Sequence, residues 1–323
     1  MHINTAAGPV DARNLGKTLM HEHLVIAFPG WESDTAITNP TRREMAAVCA
    51  DRIAELKDAG ISSMLDPCPN DIGRDVHLMA DVASRTGFNI VFATGLYHKH
   101  YGGSPYWSIK FQVDPDAEKK LADLFIAELT EGVQGTGIKA GVIKIATAAP
   151  PFTDYERTIF RAAAVAHKAT GAPITTHTDA VLGDEQLAYL TSLGVSPHRI
   201  IIGHSCGSAD HGYHSHICES GAYIGFDRFG MEDIQPDSVR VERLAQLVNK
   251  GYGKQIVVSH DSVWCWQGAM LTPAMIKHAE DGGLAMRFTR TITPMLKDAG
   301  VSADQIDMML TENPRRYFMG EPL

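Results

Sequence analysis

Gly141-Val142-Ile143-Lys144-Ile145-Ala146-Thr147 decides the fold. This short run of apolar and β-branched residues has the length of a strand and the composition of one covered on both faces. Comparable runs stand at 17–24, 61–67, 89–97, 173–179, 200–205, 223–229 and 255–261, which makes eight in all. Longer segments of helical period separate them. Thr41 with Glu44 and Thr153 with Glu156 are capping-box patterns that open two of these helices, and Gly60 and Gly171 stop them. Eight strands alternating with helices close into a (β/α)8 TIM barrel, so the expected fold is one α/β barrel domain over 1–323, preceded by a short extension at 1–16. Residues 102–114 and 262–283, the latter least patterned from 265 onward, are expected to be long loops after the third and eighth strands. Loops at that face of a barrel shape the substrate pocket.

Composition excludes several function classes. Of 323 residues, 44% are hydrophobic and 21% charged, as in ordinary soluble proteins, and no apolar run approaches the roughly 18 residues that span a bilayer. A formal net charge of −9 with no basic run to offset it argues against nucleic acid as a partner. Residues 1–16 carry neither the basic patch nor the apolar stretch of a secretory signal, so the expected location is cytoplasmic. The five cysteines, Cys49, Cys68, Cys206, Cys218 and Cys265, are scattered without a C-x-x-C pair and are expected to stay reduced.

Chemistry-bearing residues gather where the runs end. His21 and His23 lie two apart, so on a strand they point the same way and can grip one ion, although two polar strand-end residues look the same. His177 and His204 each close a strongly apolar run, and Asp261 closes the eighth. The C-terminal ends of barrel strands converge on one mouth, and imidazoles with a carboxylate suit zinc, manganese or iron. Lys144 is costly to bury without a partner. Either it reaches a salt bridge or solvent, or carbon dioxide converts it to an anionic carbamate whose two oxygens can bridge two metals. Tyr97 and Arg228 end the third and seventh runs, where they could polarise a carbonyl or phosphoryl oxygen or simply pack. Trp264 and Trp266 follow Asp261 as loop anchors or as an apolar pocket wall. His98, His100, His211, His214 and His216 fall in expected loops, at the surface or behind the ligands.

A rival reading takes Gly203-His204-Ser205-Cys206-Gly207 as a nucleophile elbow, with Ser205, Asp261 and His278 in the order of a serine esterase triad. It leaves His21, His23, Lys144 and His177 unexplained. Ser259-His260-Asp261 is no triad, because consecutive strand residues face opposite ways, and His260 is expected to be structural. A metal-binding barrel without catalysis is a third reading, although no ligand or proton acceptor is missing.

The chain resembles the phosphotriesterase family of the amidohydrolase superfamily almost end to end. The markers are Leu19-Met20-His21-Glu22-His23, Gly137-Ile138-Lys139-Ala140-Gly141-Val142-Ile143-Lys144, Thr176-His177-Thr178, Ile202-Gly203-His204, Asp227-Arg228-Phe229-Gly230, Ser259-His260-Asp261 and Asn313-Pro314-Arg315-Arg316. The resemblance implies a binuclear centre of divalent metals, zinc first, with cobalt, manganese and iron open. His21, His23 and Asp261 would hold the buried metal and His177 with His204 the exposed one, bridged by carboxylated Lys144. A bridging hydroxide would be the nucleophile and Asp261 its proton acceptor. Gly95-Leu96-Tyr97 and Asp227-Arg228-Phe229-Gly230 look like the phosphotriesterase-like lactonases. That branch implies a small-molecule lactone, such as an N-acyl-homoserine lactone, with phosphotriester or ester hydrolysis as a side activity, and a homodimer. Asp66-Pro67-Cys68-Pro69-Asn70 and Ser262-Val263-Trp264-Cys265-Trp266-Gln267 depart from the lactonase pattern, and both lie where substrate is chosen.

Overall fold

The computed structural model describes every residue except 102, 282 and 283, and every side chain among them except those of 278–281 and 284. In chain order the strands are β1 (His2–Thr5), β2 (Gly8–Asp11), β3 (Lys17–Leu19), β4 (Glu22–Ile26), β5 (Ile61–Asp66), β6 (Asn89–Gly95), β7 (Val142–Ala146), β8 (Ile174–His177), β9 (Ile200–Ile202), β10 (Tyr223–Phe226), β11 (Ile256–Val258) and β12 (Ser262–Trp266). β1 and β2 form an antiparallel hairpin within the expected extension. β3 and β5 to β11 run parallel as one eight-stranded sheet in sequence order, with helices between successive strands, which is the (β/α)8 TIM barrel. Capping boxes open the helices Arg42–Asp58 and Asp154–Thr170, as Thr41 and Thr153 predict.

The first run differs from expectation. Residues 17–24 are not one strand: the chain breaks at Met20 and His21, β3 pairs with β5, and β4 turns to pair with β12. The ring is joined at this break by single bonds, Met20 N–H to the Val258 carbonyl at 3.2 Å and Asp261 N–H to the His21 carbonyl at 2.9 Å. Backbone from both sides of the break therefore meets the residues after β11, and His21, His23 and Asp261 are brought together by the closure itself.

Strand alternation explains the fully apolar runs. Ile143 and Ile145 face the helices within the main core, whereas Val142 packs inside the barrel with Ile3, Leu65, Val91, Ile201, Tyr223, Val257 and Tyr317. Lys144 shares the parity of Val142 and stands one layer above it. The barrel floor is thus apolar and its mouth polar.

Both expected loops contain regular structure. Within 102–114, Pro105–Val113 is a helix whose Ser104 hydroxyl caps the Trp107 N–H at 3.4 Å, with proline in its first turn. Within 262–283 lie β12 and the helix Pro273–Asp281. Pairing with β4 overrides the weak local pattern at 262–266. Among the described residues, no helix is long and apolar enough to cross a membrane.

Candidate metal centre

Three imidazoles face one carboxylate. His21 Nε2 and His23 Nε2 lie 3.4 and 3.2 Å from Asp261 Oδ1, and His204 Nε2 lies 3.7 Å from Asp261 Oδ2. Each of these rings is held from behind by a buried carboxylate: His21 Nδ1 is 3.2 Å from Asp227 Oδ2, His204 Nδ1 3.1 Å from Asp227 Oδ1, and His23 Nδ1 3.2 Å from Asp66 Oδ1. Protons on the Nδ1 atoms of His21 and His204 leave their Nε2 lone pairs aimed at an anion. Such an arrangement is repulsive unless a cation stands between, and outer carboxylates that fix the tautomer are how metal-binding histidines are oriented. His21, His204 and Asp261 offer ligand atoms within 4.8 Å of one another. The donor set fits a divalent metal.

Burial pushes His21 and His204 below the ordinary imidazole range, and His177 down to about 3, so these rings are neutral and able to ligate. Burial works against the charge on His23 as well, but its bonds to Asp261 and Asp66 outweigh it and raise that ring. Burial favours a neutral Asp261, yet the polar surroundings, with the Arg228 guanidinium as the charged neighbour, hold its carboxyl well below the ordinary carboxylate range. Lys144 is pushed down to about 8 by burial, against the pull of Asp261 and Asp227. Its Nζ sits 3.4 Å from His21 Nε2 and donates to the Thr176 carbonyl at 3.2 Å, with no carboxylate ion pair among the described residues. A lysine lowered this far is in part uncharged near neutral pH, and the uncharged amine is the form that reacts with carbon dioxide.

His177 joins from β8. Its ring lies 4.6 Å from that of His204, with Nε2 3.1 Å from Asp179 Oδ1 and Nδ1 3.3 Å from the Tyr97 hydroxyl. Arg228 Nε donates to Asp261 Oδ2 at 2.8 Å. His204 and Asp261 both adopt left-handed backbone, at φ 59° and 56°, which side-chain-bearing residues avoid unless the surroundings impose it. Two glycines give the site its room. A Cβ at Gly225 would stand 2.5 Å from Asp227 Oδ2, and one at Gly95 would overlap the Lys144 carbonyl.

Several expectations are corrected. The Ser205 hydroxyl is buried and donates to the Ile202 carbonyl at 2.9 Å; among the described residues no imidazole nitrogen bonds it, and the His278 side chain lies outside the described residues. Ser205 is therefore part of a turn and is not placed as a nucleophile. Trp264 and Trp266 stand on β12 and line a cleft of about 280 Å³ with Asn39, Val48 and Leu271, a lining that includes none of the candidate ligands. Trp264 Nε1 is bonded to the Ser262 hydroxyl, whereas Trp266 stacks on Phe28, which packs on Tyr101 and through it reaches Tyr97. A larger cavity of about 640 Å³, lined by Phe28, Trp31, Asp71, Leu96 and Trp107, opens beside this aromatic rim. His98 is buried against the His177 ring at 5.2 Å, and His211, His214 and His216 lie on the helix His211–Glu219 rather than in a loop.

The sequence reading missed Asp66, and it took Asp227 only as part of a motif. Asp66 closes β5 directly after the apolar pair Met64-Leu65, a strand-end signal comparable to that of Asp261. Glu22 was likewise passed over between its histidines. Its carboxylate accepts from Ser259 Oγ, His260 N, His260 Nδ1 and both donors of Ser262, while His260 Nε2 accepts from Phe288 N–H. His260 is structural, as expected.

Imidazoles converging on an aspartate at the C-terminal mouth of a TIM barrel define a class of barrel metallohydrolases. The phosphotriesterase family matches residues 1–318, and this chain belongs to that family. It is a metal-dependent ester hydrolase. The phosphotriesterase homology protein of Mycobacterium tuberculosis is 36% identical over 98% of this chain and 97% of its own length. The aryldialkylphosphatase of Saccharolobus solfataricus is 34% identical over 96% of each. A solved PTE-like lactonase mutant from Deinococcus radiodurans superimposes with a TM-score of 0.92 at 35% identity, covering 98% of this chain and 99% of that one.

Proposed function

We propose that this enzyme opens lactones with two divalent metals, zinc foremost, held by His21, His23, His177, His204 and Asp261 and bridged by carboxylated Lys144. The convergence of His21, His23 and His204 on Asp261 carries this reading. Bound there, two metals would polarise a carbonyl or phosphoryl oxygen and lower the pKa of water toward neutrality. Asp261, ionised and anchored by Arg228, takes the proton released as the ring opens. Tyr97, whose hydroxyl lies 3.3 Å from His177 Nδ1 and is kept protonated by burial, would donate to a substrate oxygen. The rim of Phe28, Tyr97, Tyr101 and Trp266 supplies an apolar wall for an acyl chain, and likeness to a PTE-like lactonase supports the lactone.

Phosphotriester hydrolysis on the same residues is the second reading, favoured by likeness to an aryldialkylphosphatase. A panel of γ-lactones of graded acyl length, one aryl ester and one dialkyl aryl phosphate, ranked by kcat/KM, separates the two. Long-chain lactones should lead; equal or faster phosphotriester turnover would overturn the lactonase assignment. Asp261→Asn should lower kcat about 10³-fold, within the range of general acid/base contributions. Unchanged turnover in that variant would remove Asp261 from the chemistry. Lys144→Ala should reduce bound metal below two per chain by elemental analysis. The exposed apolar positions Tyr106, Ile109 and Val113, spaced along one face of the helix Pro105–Val113, support a homodimer, testable as a sedimentation mass twice the 35.1 kDa of the chain.

A further inference from the structure

Cys49 and Cys265 meet at the seam between the first barrel helix and the strand that follows Asp261. Cys49, on the helix Arg42–Asp58, directs Sγ at the Leu24 carbonyl of β4, 3.8 Å away. Cys265 is paired in register with Val25, the next residue of β4, and directs Sγ at the Met45 carbonyl, 3.9 Å away and one helical turn before Cys49. These independent contacts bring both thiols to one place, between the helix Arg42–Asp58 and the paired strands β4 and β12. Cys49 is fully buried and Cys265 is 7% exposed, so an oxidant reaches Cys265 first. The Cys49 contact and the charge of Arg52 also favour thiolate at Cys265, while that same contact, with burial, keeps Cys49 protonated.

We propose that Cys49 and Cys265 are a reversible disulfide site that staples the first barrel helix to the strand leading out of the metal centre. With hydrogen peroxide as oxidant, the Cys265 thiolate attacks one peroxide oxygen, the O–O bond breaks and Cys265 becomes a sulfenic acid as hydroxide leaves. Cys49, giving up its proton, then attacks that sulfur; the S–S bond forms, the S–O bond breaks and water departs. Overall two thiols and one peroxide yield one disulfide and two waters, the two electrons passing from sulfur to oxygen. Because β12 pairs with β4 and begins directly after Asp261, the bond ties the barrel closure to its outer layer.

The test treats the metal-loaded full chain with dilute hydrogen peroxide, removes the oxidant, and counts thiols in denaturant before and after dithiothreitol. The count should fall from five to three and return to five. Peptide mapping should find residues 49 and 265 in one cross-linked species, and the melting temperature should rise until reductant is added. Cys49→Ala and Cys265→Ser, tested separately because either alone could disturb the core, should each yield no cross-linked species and no such rise. A count that stays at five, a bond mapped to another pair, or a cross-link that survives either substitution would overturn the proposal.

Discussion

At the scale of single residues, the unpartnered group with most influence is a carboxyl beside the centre. Asp71 Oδ1 accepts the Tyr97 N–H at 2.9 Å, but among the described residues its buried Oδ2 has no partner, and burial pushes the carboxyl up to about 7 from an ordinary 3.8. Between these values the folded chain keeps a proton that the unfolded chain has released. Ionisation at Asp71 therefore costs stability progressively as pH rises from 4 through 7. Asp71→Asn keeps the bond to Tyr97 and removes the charge. Urea unfolding should show the variant more stable than the parent at pH 8, by on the order of 2 kcal/mol after allowance for partial solvent access, and no more stable at pH 4. An equal difference at both pH values would mean that the charge on Asp71 is not what costs stability.

At the scale of elements, the seam between β4 and β12 carries the site. Glu22 on β4 gathers donors from Ser259, His260 and Ser262, so it holds the segment in which Asp261 adopts its left-handed conformation. Replacing the anion by an amide in Glu22→Gln puts a donor where Ser262 or Ser259 already donates. A loss of about 3 kcal/mol in unfolding free energy is expected, the cost of charged buried hydrogen bonds. The crossing of β9 and β10 matters in the same way. In Gly225→Ala the new methyl displaces the Asp227 carboxylate that anchors His21 and His204, and metal affinity measured against a competing chelator should weaken about 10- to 100-fold. Unchanged affinity would show that Asp227 does not orient these ligands.

At the scale of the molecule, the metal centre is also a fastener. With the ligands proposed above it would join side chains from β4, β7, β8 and the segments after β9 and β11, at the point where the barrel is closed by only isolated backbone bonds. Metal that binds the folded chain alone stabilises it by about 4 kcal/mol when present at a thousand times its dissociation constant. Exhaustive chelation should therefore abolish turnover and lower the melting temperature on the order of 10 °C. Zinc, cobalt or manganese should restore both. Chelation that stops catalysis without moving the melting temperature would place the metals outside the closure.

The sequence by itself determined the barrel and marked its candidate ligands, because parallel strands covered on both faces are largely apolar and a histidine, lysine or aspartate ending such a run stands out. His21, His23, Lys144, His177, His204 and Asp261 stand out as candidates on that ground, and their proposed roles as ligands rest on the family resemblance. Tertiary structure alone decided how the ring closes: β3 and β4 part at Met20 because each answers to a different neighbour, and no local pattern records a partner more than 200 residues away. It also decided that 262–266 is a strand, that Asp66 and Asp227 stand behind the histidines, and that Trp264 turns from the mouth while Trp266 stays near it. These depend on which surfaces meet, and side chains far apart in the chain choose them together.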